Sequence, residues 1–254
     1  MSVINLLPVL SVALFAVLLV LLELGSRLAI ARGDTESSRL GPIEGAVFGL
    51  LGLLIAFAFS GAAMRYNDRR ELIIQEADAI GTVYMRLDLV DPALRPAVVQ
   101  QLRDYTDTRL ELYRHLGEPA MAAQLSLRAG FLQQSLWRTV LADCNDQKGL
   151  TATFLLVPAL NEMFDVSAKR TAALRNHPPS VVYVLLISIT LACAFLAGYA
   201  FGPGQAKHRI AMISFSAIMS FSIYVIIDLE FPRFGLIRIS GEDVVLEQVR
   251  DTMH

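Results

Sequence analysis

The stretch IEGAVFGLLGLLIAFAFSGAAMRYNDRRELIIQEADAIGTVYMRLDLVDP, Ile43 to Pro92, decides the fold. From Ile43 to Met64 it is apolar apart from Glu44 at its mouth and Ser60 near its end, and crossing ~30 Å of hydrocarbon takes roughly 20 helical residues. Charge returns at Arg65, but the helical pattern does not stop. Ile73, Ala77, Ile80, Tyr84 and Leu87 step by four, three, four and three, a coiled-coil-like seam. Only Gly81 weakens a helix between Met64 and Asp91, and Pro92 ends it by pushing the residue before it out of the helical region. The spacing predicts one rod from Ile43 to about Val90, on the order of 70 Å long at 1.5 Å per residue.

Three more apolar blocks accompany this one: Val3 to Leu24, Pro179 to Phe201 without a charge, and Ile210 to Ile227, which stops at Asp228. Among 254 residues 54% are hydrophobic and 18% charged, with mean hydropathy +0.50, against about a quarter charged in soluble domains. Together these exclude a disordered chain, a secreted disulfide scaffold and an ordinary soluble enzyme. A net charge of −2 gives no field for nucleic acid. Cys144 and Cys193 suggest neither a disulfide framework nor a metal site. The first block lacks a preceding Lys or Arg and outruns a signal-peptide core, so it is expected to stay in the membrane.

The expected fold is all-α: a polytopic membrane protein with four transmembrane helices and a helical cytoplasmic body. Residues 1–64 hold the first two spans, 65–178 the body, 179–228 the last two spans, and 229–254 a cytoplasmic tail. Arg65, Arg69, Arg70, Lys169, Arg170, Arg175, Arg233 and Arg238 outnumber the basic residues of the two short loops, which places the body and both termini in the cytoplasm. Within the body, Ala93 to Leu116 carries Leu94, Val98, Leu102, Tyr105, Leu112 and Leu116 on one side and Arg103, Asp107, Glu111 and Arg114 on the other. Pro119 opens a further helix, a break near Gly149 leads to one over Thr151 to Asn176, and Gly241 to Arg250 suits a terminal helix.

No nucleophile elbow, HExxH, phosphate loop or dinucleotide fingerprint occurs, and the four histidines are scattered. Gly202 to Lys207 reads as a tight turn. Neither a catalytic site, a metal nor a cofactor is expected. Function is sought instead on the second span. Gly45, Gly49 and Gly52 form a small-residue stripe for helix packing, within the protomer or beyond it. Leu51, Ile55 and Phe59, four apart, either form a hydrophobic pore constriction or face lipid and neighbouring helices. Glu44 either rings a pore mouth or complements its own helix dipole. Asp228, Glu230, Arg233 and Arg238 make a juxtamembrane charge cluster, read as a salt-bridged anchor of the interface, or else as an ion-attracting ring or a gating latch onto the rod at Arg65, Arg69 and Arg70. Ser216 and Ser220 share a face suited to hydrogen bonds across helices, and Glu76 and Asp78 suit a solvated rod surface better than a divalent cation.

The runs EADAIGTVYMRLDLVDP (Glu76 to Pro92), HPPSVVYVLL (His177 to Leu186) and DLEFPRFGLIRI (Asp228 to Ile239), in that order, resemble the bestrophin-like family of bacterial membrane proteins. That family is largely catalogued as a domain of unknown function, distantly akin to bestrophins, homopentameric anion channels with an apolar neck on the second span. The resemblance implies an inner-membrane homo-oligomer, a pentamer by analogy, in which Ile55 and Phe59 match the neck and Leu51 fits less well. It implies a permeant anion such as chloride; the net charge of −2 argues against a nucleic-acid partner. The acidic calcium clasp of animal bestrophins is absent. The first functional expectation is therefore an ion channel, and the second a non-conducting membrane scaffold whose helical body binds a protein partner.

Overall fold

Continuous helix runs through the decisive stretch. In the computed structural model, which describes residues 3–32, 42–144, 150–201, 206–231, 236–237 and 243–253, the second helix covers Pro42–Arg86, 45 residues without a break. A 3₁₀ turn over Leu87–Leu89 closes it, and Val90 leaves in extended backbone, two residues before Pro92. The other helices are α1 (Val3–Arg32), α3 (Arg95–Arg114), α4 (Pro119–Cys144), α5 (Leu150–Arg175), α6 (Ser180–Phe201), α7 (Ala206–Glu230) and α8 (Asp243–Asp251), the long one being α2. Four stretches are long and apolar enough to cross a membrane, and no strand occurs among the described residues. The expected break near Gly149 and most of the turn after Phe201 lie outside the described residues.

The chain divides into two units, Met1–Tyr66 with His177–Ile237, and Asn67–Asn176 with Arg238–His254. In the first, α1 packs along α6 and α7. Leu18 and Leu22 of α1 meet Ala194 and Ala197 of α6 and Met212 of α7 in one cluster, while Leu51 and Ala62 of α2 join Leu186, Cys193 and Ile223 in another. Gly25 and Gly198 sit where α1 and α6 come closest; a β-carbon on Gly25 would lie 2.7 Å from the Tyr199 amide nitrogen, and one on Gly198 would overlap the backbone of Leu22. Small residues at such contacts let helices approach where lipid supplies no hydrophobic drive.

The second unit is a helical body. Ala77, Ile80, Val83 and Leu87 of the rod are buried against Val98, Leu102 and Tyr105 of α3, Leu136 and Val140 of α4, and Leu156, Leu160 and Met163 of α5. The seam read from spacing is the face that packs. Leu246 of α8 and Met253 complete this core, so the end of the described chain belongs to the body. Asp91 turns the chain into α3 by accepting the Ala93 backbone N–H at 2.8 Å. Arg69 hydrogen-bonds the carbonyls of Ala173 (3.1 Å) and Asn176 (3.0 Å), satisfying acceptors that the end of α5 leaves over.

Candidate functional site

The first half of α2 presents two different faces. Nothing in the protomer lies within 4 Å of a β-carbon placed on Gly45, Gly49 or Gly52, so the glycine stripe makes no intramolecular contact of that kind. Only 11% of the helix's most apolar window is buried, against 28% for α7. Phe57 and Phe59 stand 66% and 47% exposed. Leu51 does not share that face. It is 1% exposed and sits in the protomer's own core with Leu186 and Cys193. Successive steps of four residues rotate about 40° on a 3.6-residue helix, so Leu51, Ile55 and Phe59 drift from inside to outside. Ile55 is half-buried between them. Glu44 is half-buried in the first turn of α2, where a carboxylate complements the helix dipole.

At the end of α7 two carboxylates are withdrawn from solvent. Glu230 accepts a hydrogen bond from Arg65 Nε at 2.7 Å and a second from Arg65 Nη2, and His177 Nδ1 lies 3.5 Å away. The His177 ring stacks on Phe231 with centroids 4.7 Å apart. Asp228 accepts the backbone N–H groups of Leu236 (3.1 Å) and Ile237 (2.9 Å), pinning the chain as it returns from the helix. Of the predicted cluster, Asp228 and Glu230 are both buried, and Glu230 pairs with Arg65, one of the three arginines expected to face it. Arg233 and Arg238 lie outside the described residues. Ser216 and Ser220 are buried on one face of α7, but neither hydroxyl finds a hydrogen-bond partner among the described residues.

The helical body contains a charge network that the sequence reading did not anticipate. Glu76 is fully buried rather than solvated; Asp78 is the exposed one. Glu76 Oε1 accepts from Arg109 Nε at 2.7 Å, and Oε2 accepts from Arg170 Nη1 at 2.6 Å and from the Tyr113 hydroxyl at 3.2 Å. Arg170 Nη2 reaches Asp243 of α8 at 2.8 Å, and its guanidinium lies 3.4 Å above the Tyr113 ring. Two cations and two anions thus balance inside the core. Burial, reinforced by the Glu76 charge, pushes the Tyr113 phenol well above its ordinary range and keeps it protonated. A signal for the network did exist: Arg109 falls in the three-four rhythm of Leu102, Tyr105 and Leu112, a charge on the apolar side of α3. Both oxygens of Glu76 are taken, which leaves it no role as a cation ligand, and among the described residues no cluster of acidic, histidine or cysteine side chains could hold a metal.

A family model for the Bestrophin-like domain matches residues 9–243. The chain belongs to the Bestrophin-like family. Two crystal structures of a bacterial Bestrophin homolog from Klebsiella pneumoniae, each carrying one substitution, share its fold. One has 15% identity and a TM-score of 0.67 over 95% of this chain and 96% of that one; the other has 16% and 0.64 over 94% and 97%. A third, described only as a membrane protein, aligns with 15% identity and a TM-score of 0.64 over 94% and 97%. Identities this low make the likeness one of fold. Among curated proteins none matches. Membership of the Bestrophin-like family accounts for the all-α architecture with four candidate spans.

Proposed function

We propose that the protein is a homo-oligomeric, anion-conducting channel of the bacterial inner membrane, with the first half of α2 around the axis and the helical body and both termini in the cytoplasm. The observation that carries this reading is the uncovered face of α2, with its open glycine stripe and exposed phenylalanines. A long apolar helix that contributes so little to its own protomer's core is suited to packing against copies of itself, and small residues favour such contacts. Ile55 and Phe59 form a hydrophobic constriction that gates by dewetting, and Leu51 supports it from the protomer core. Glu44 lies at one mouth, Arg65 with Glu230 braces the other end of the span, and by family resemblance five copies complete the ring.

The test is ion flux through purified protein in liposomes, comparing wild type with Ile55→Ala and Phe59→Ala. Anion-dependent flux that rises in both variants supports the constriction. Silence of all three across pH, voltage and calcium, with the proteins folded and oligomeric, rejects a channel.

A second reading rests on α4, where Leu127 and Phe131, one turn apart, stand 77% and 70% exposed. Such a patch on the body suits a non-conducting scaffold that docks a protein partner. Under that reading, charging both positions abolishes partner capture and leaves flux absent throughout.

A further inference from the structure

Between α3, α4 and α5 the body contains a cleft of about 550 Å³, within the usual range for a small-molecule site. Among the described residues its ionisable lining consists of Arg109 and Arg175. Arg109 is fixed from behind: Nε donates to Glu76, and Nη2 donates to the Tyr113 hydroxyl and to the Ser167 carbonyl at 3.3 Å, leaving Nη1 without a described acceptor. Arg175 is exposed and has no acidic partner among the described residues. Glu76 and Asp243 balance Arg109 and Arg170, so the Arg175 guanidinium leaves the cleft lining net positive. The rest of the wall combines apolar surface from Phe164 and alanines of α4 and α5 with the uncharged polar side chains of Ser126, Gln133, Thr171 and Asn176.

These features select among ligand classes. A neutral apolar molecule leaves Arg175 unused, and an inorganic anion leaves the Phe164 wall unused. Two cations at one site are too few for a polyanion, which needs a basic stripe. We propose that this cleft binds a small organic carboxylate, its head held by Arg109 and Arg175 and its apolar body lying along Phe164. Arginine suits that role because its planar fork meets a carboxylate with two parallel hydrogen bonds. Gly130 keeps the cleft open: a β-carbon there meets nothing within 4 Å.

The experiment is calorimetric titration of the full chain in detergent with benzoate, with benzamide as the neutral isostere and sodium chloride at matched ionic strength. Saturable binding of benzoate in the millimolar range or tighter is expected, with benzamide failing to bind. Arg175→Gln, at an exposed position, weakens benzoate about tenfold, the loss of one charge-assisted contact. Gly130→Leu fills the cleft and abolishes binding in a protein whose helical signal is unchanged. Equal binding of benzamide, displacement by chloride at the same concentration, indifference to both variants, or no binding to folded wild type would each overturn the proposal. None of these outcomes depends on ion flux, so the cleft and the channel stand or fall separately.

Discussion

Gly25 of α1 and Gly198 of α6 bring two helix backbones into direct contact, closer than any β-carbon permits. Gly198→Ala or Gly25→Ala therefore forces the helices apart along the main contact of their unit. The expected cost is about 1–3 kcal/mol, the range for overpacking a well-filled interior. Thermal unfolding of the solubilised protein measures it; an unchanged midpoint in both variants would show that the contact relaxes freely. Gly130→Ala, in open space, leaves stability equal or slightly higher.

Glu76→Gln removes the carboxylate that two buried arginines share. Breaking a buried pair from one side costs about 3–5 kcal/mol, because the partners' charges remain desolvated. Combining it with Arg109→Met recovers part of that loss, and the double-mutant cycle reads the coupling. A loss below about 1 kcal/mol for Glu76→Gln alone would mean that water compensates the arginines.

Tyr113 and Tyr105 give the body an alkaline limit. Burial raises both phenols above the ordinary value of 10.0. Below that value folded and unfolded chains hold the same phenolic protons, so this stability is fully present. Above it the unfolded chain sheds protons that the folded chain keeps, and stability falls as pH rises. Thermal midpoints should be flat in this respect up to about pH 10 and decline beyond it. Tyr105→Phe should soften the decline.

Gly49→Leu separates folding from assembly. The protomer has room for the side chain, so its helical signal and unfolding midpoint should hold. If copies pack on that stripe, the oligomer shifts toward smaller species in light scattering after size exclusion. An unaltered mass would place the stripe against lipid.

The rod, the four spans and the body's helices were legible because each rests on a period: long apolar runs, the seam from Ile73 to Leu87, and prolines at Pro92 and Pro119. End points were less so. The apolar block ends at Leu24, but α1 continues to Arg32, with Arg27 paired to Glu23 one turn earlier at 2.9 Å and Ala29 fully buried. Within the candidate site, the exposed Phe59 and the half-buried Ile55 follow from helix geometry. Leu51 is buried in the protomer core because four-residue spacing drifts around the helix, in keeping with its poorer fit to the neck. Glu76 illustrates the deeper difficulty. One sequence shows a carboxylate on a rod; its partners come from positions 33 and 94 residues away, and pairing over such distances leaves no local pattern. The Gly25–Gly198 contact is hidden for the same reason.

The salt bridge from Arg170 to Asp243 also sets an order of events during synthesis. The two residues are 73 positions apart, and both α6 and α7 lie between them. A nascent chain that has just completed α5 holds Glu76, Arg109 and Arg170 but only one of the two compensating anions. Charge neutrality in the core arrives with α8, after two further apolar helices have been made. Domains usually fold as they emerge, N-terminal first. Here the helical body begins before the last two spans and closes after them, so its final packing reports that the membrane-spanning part of the chain has already been delivered.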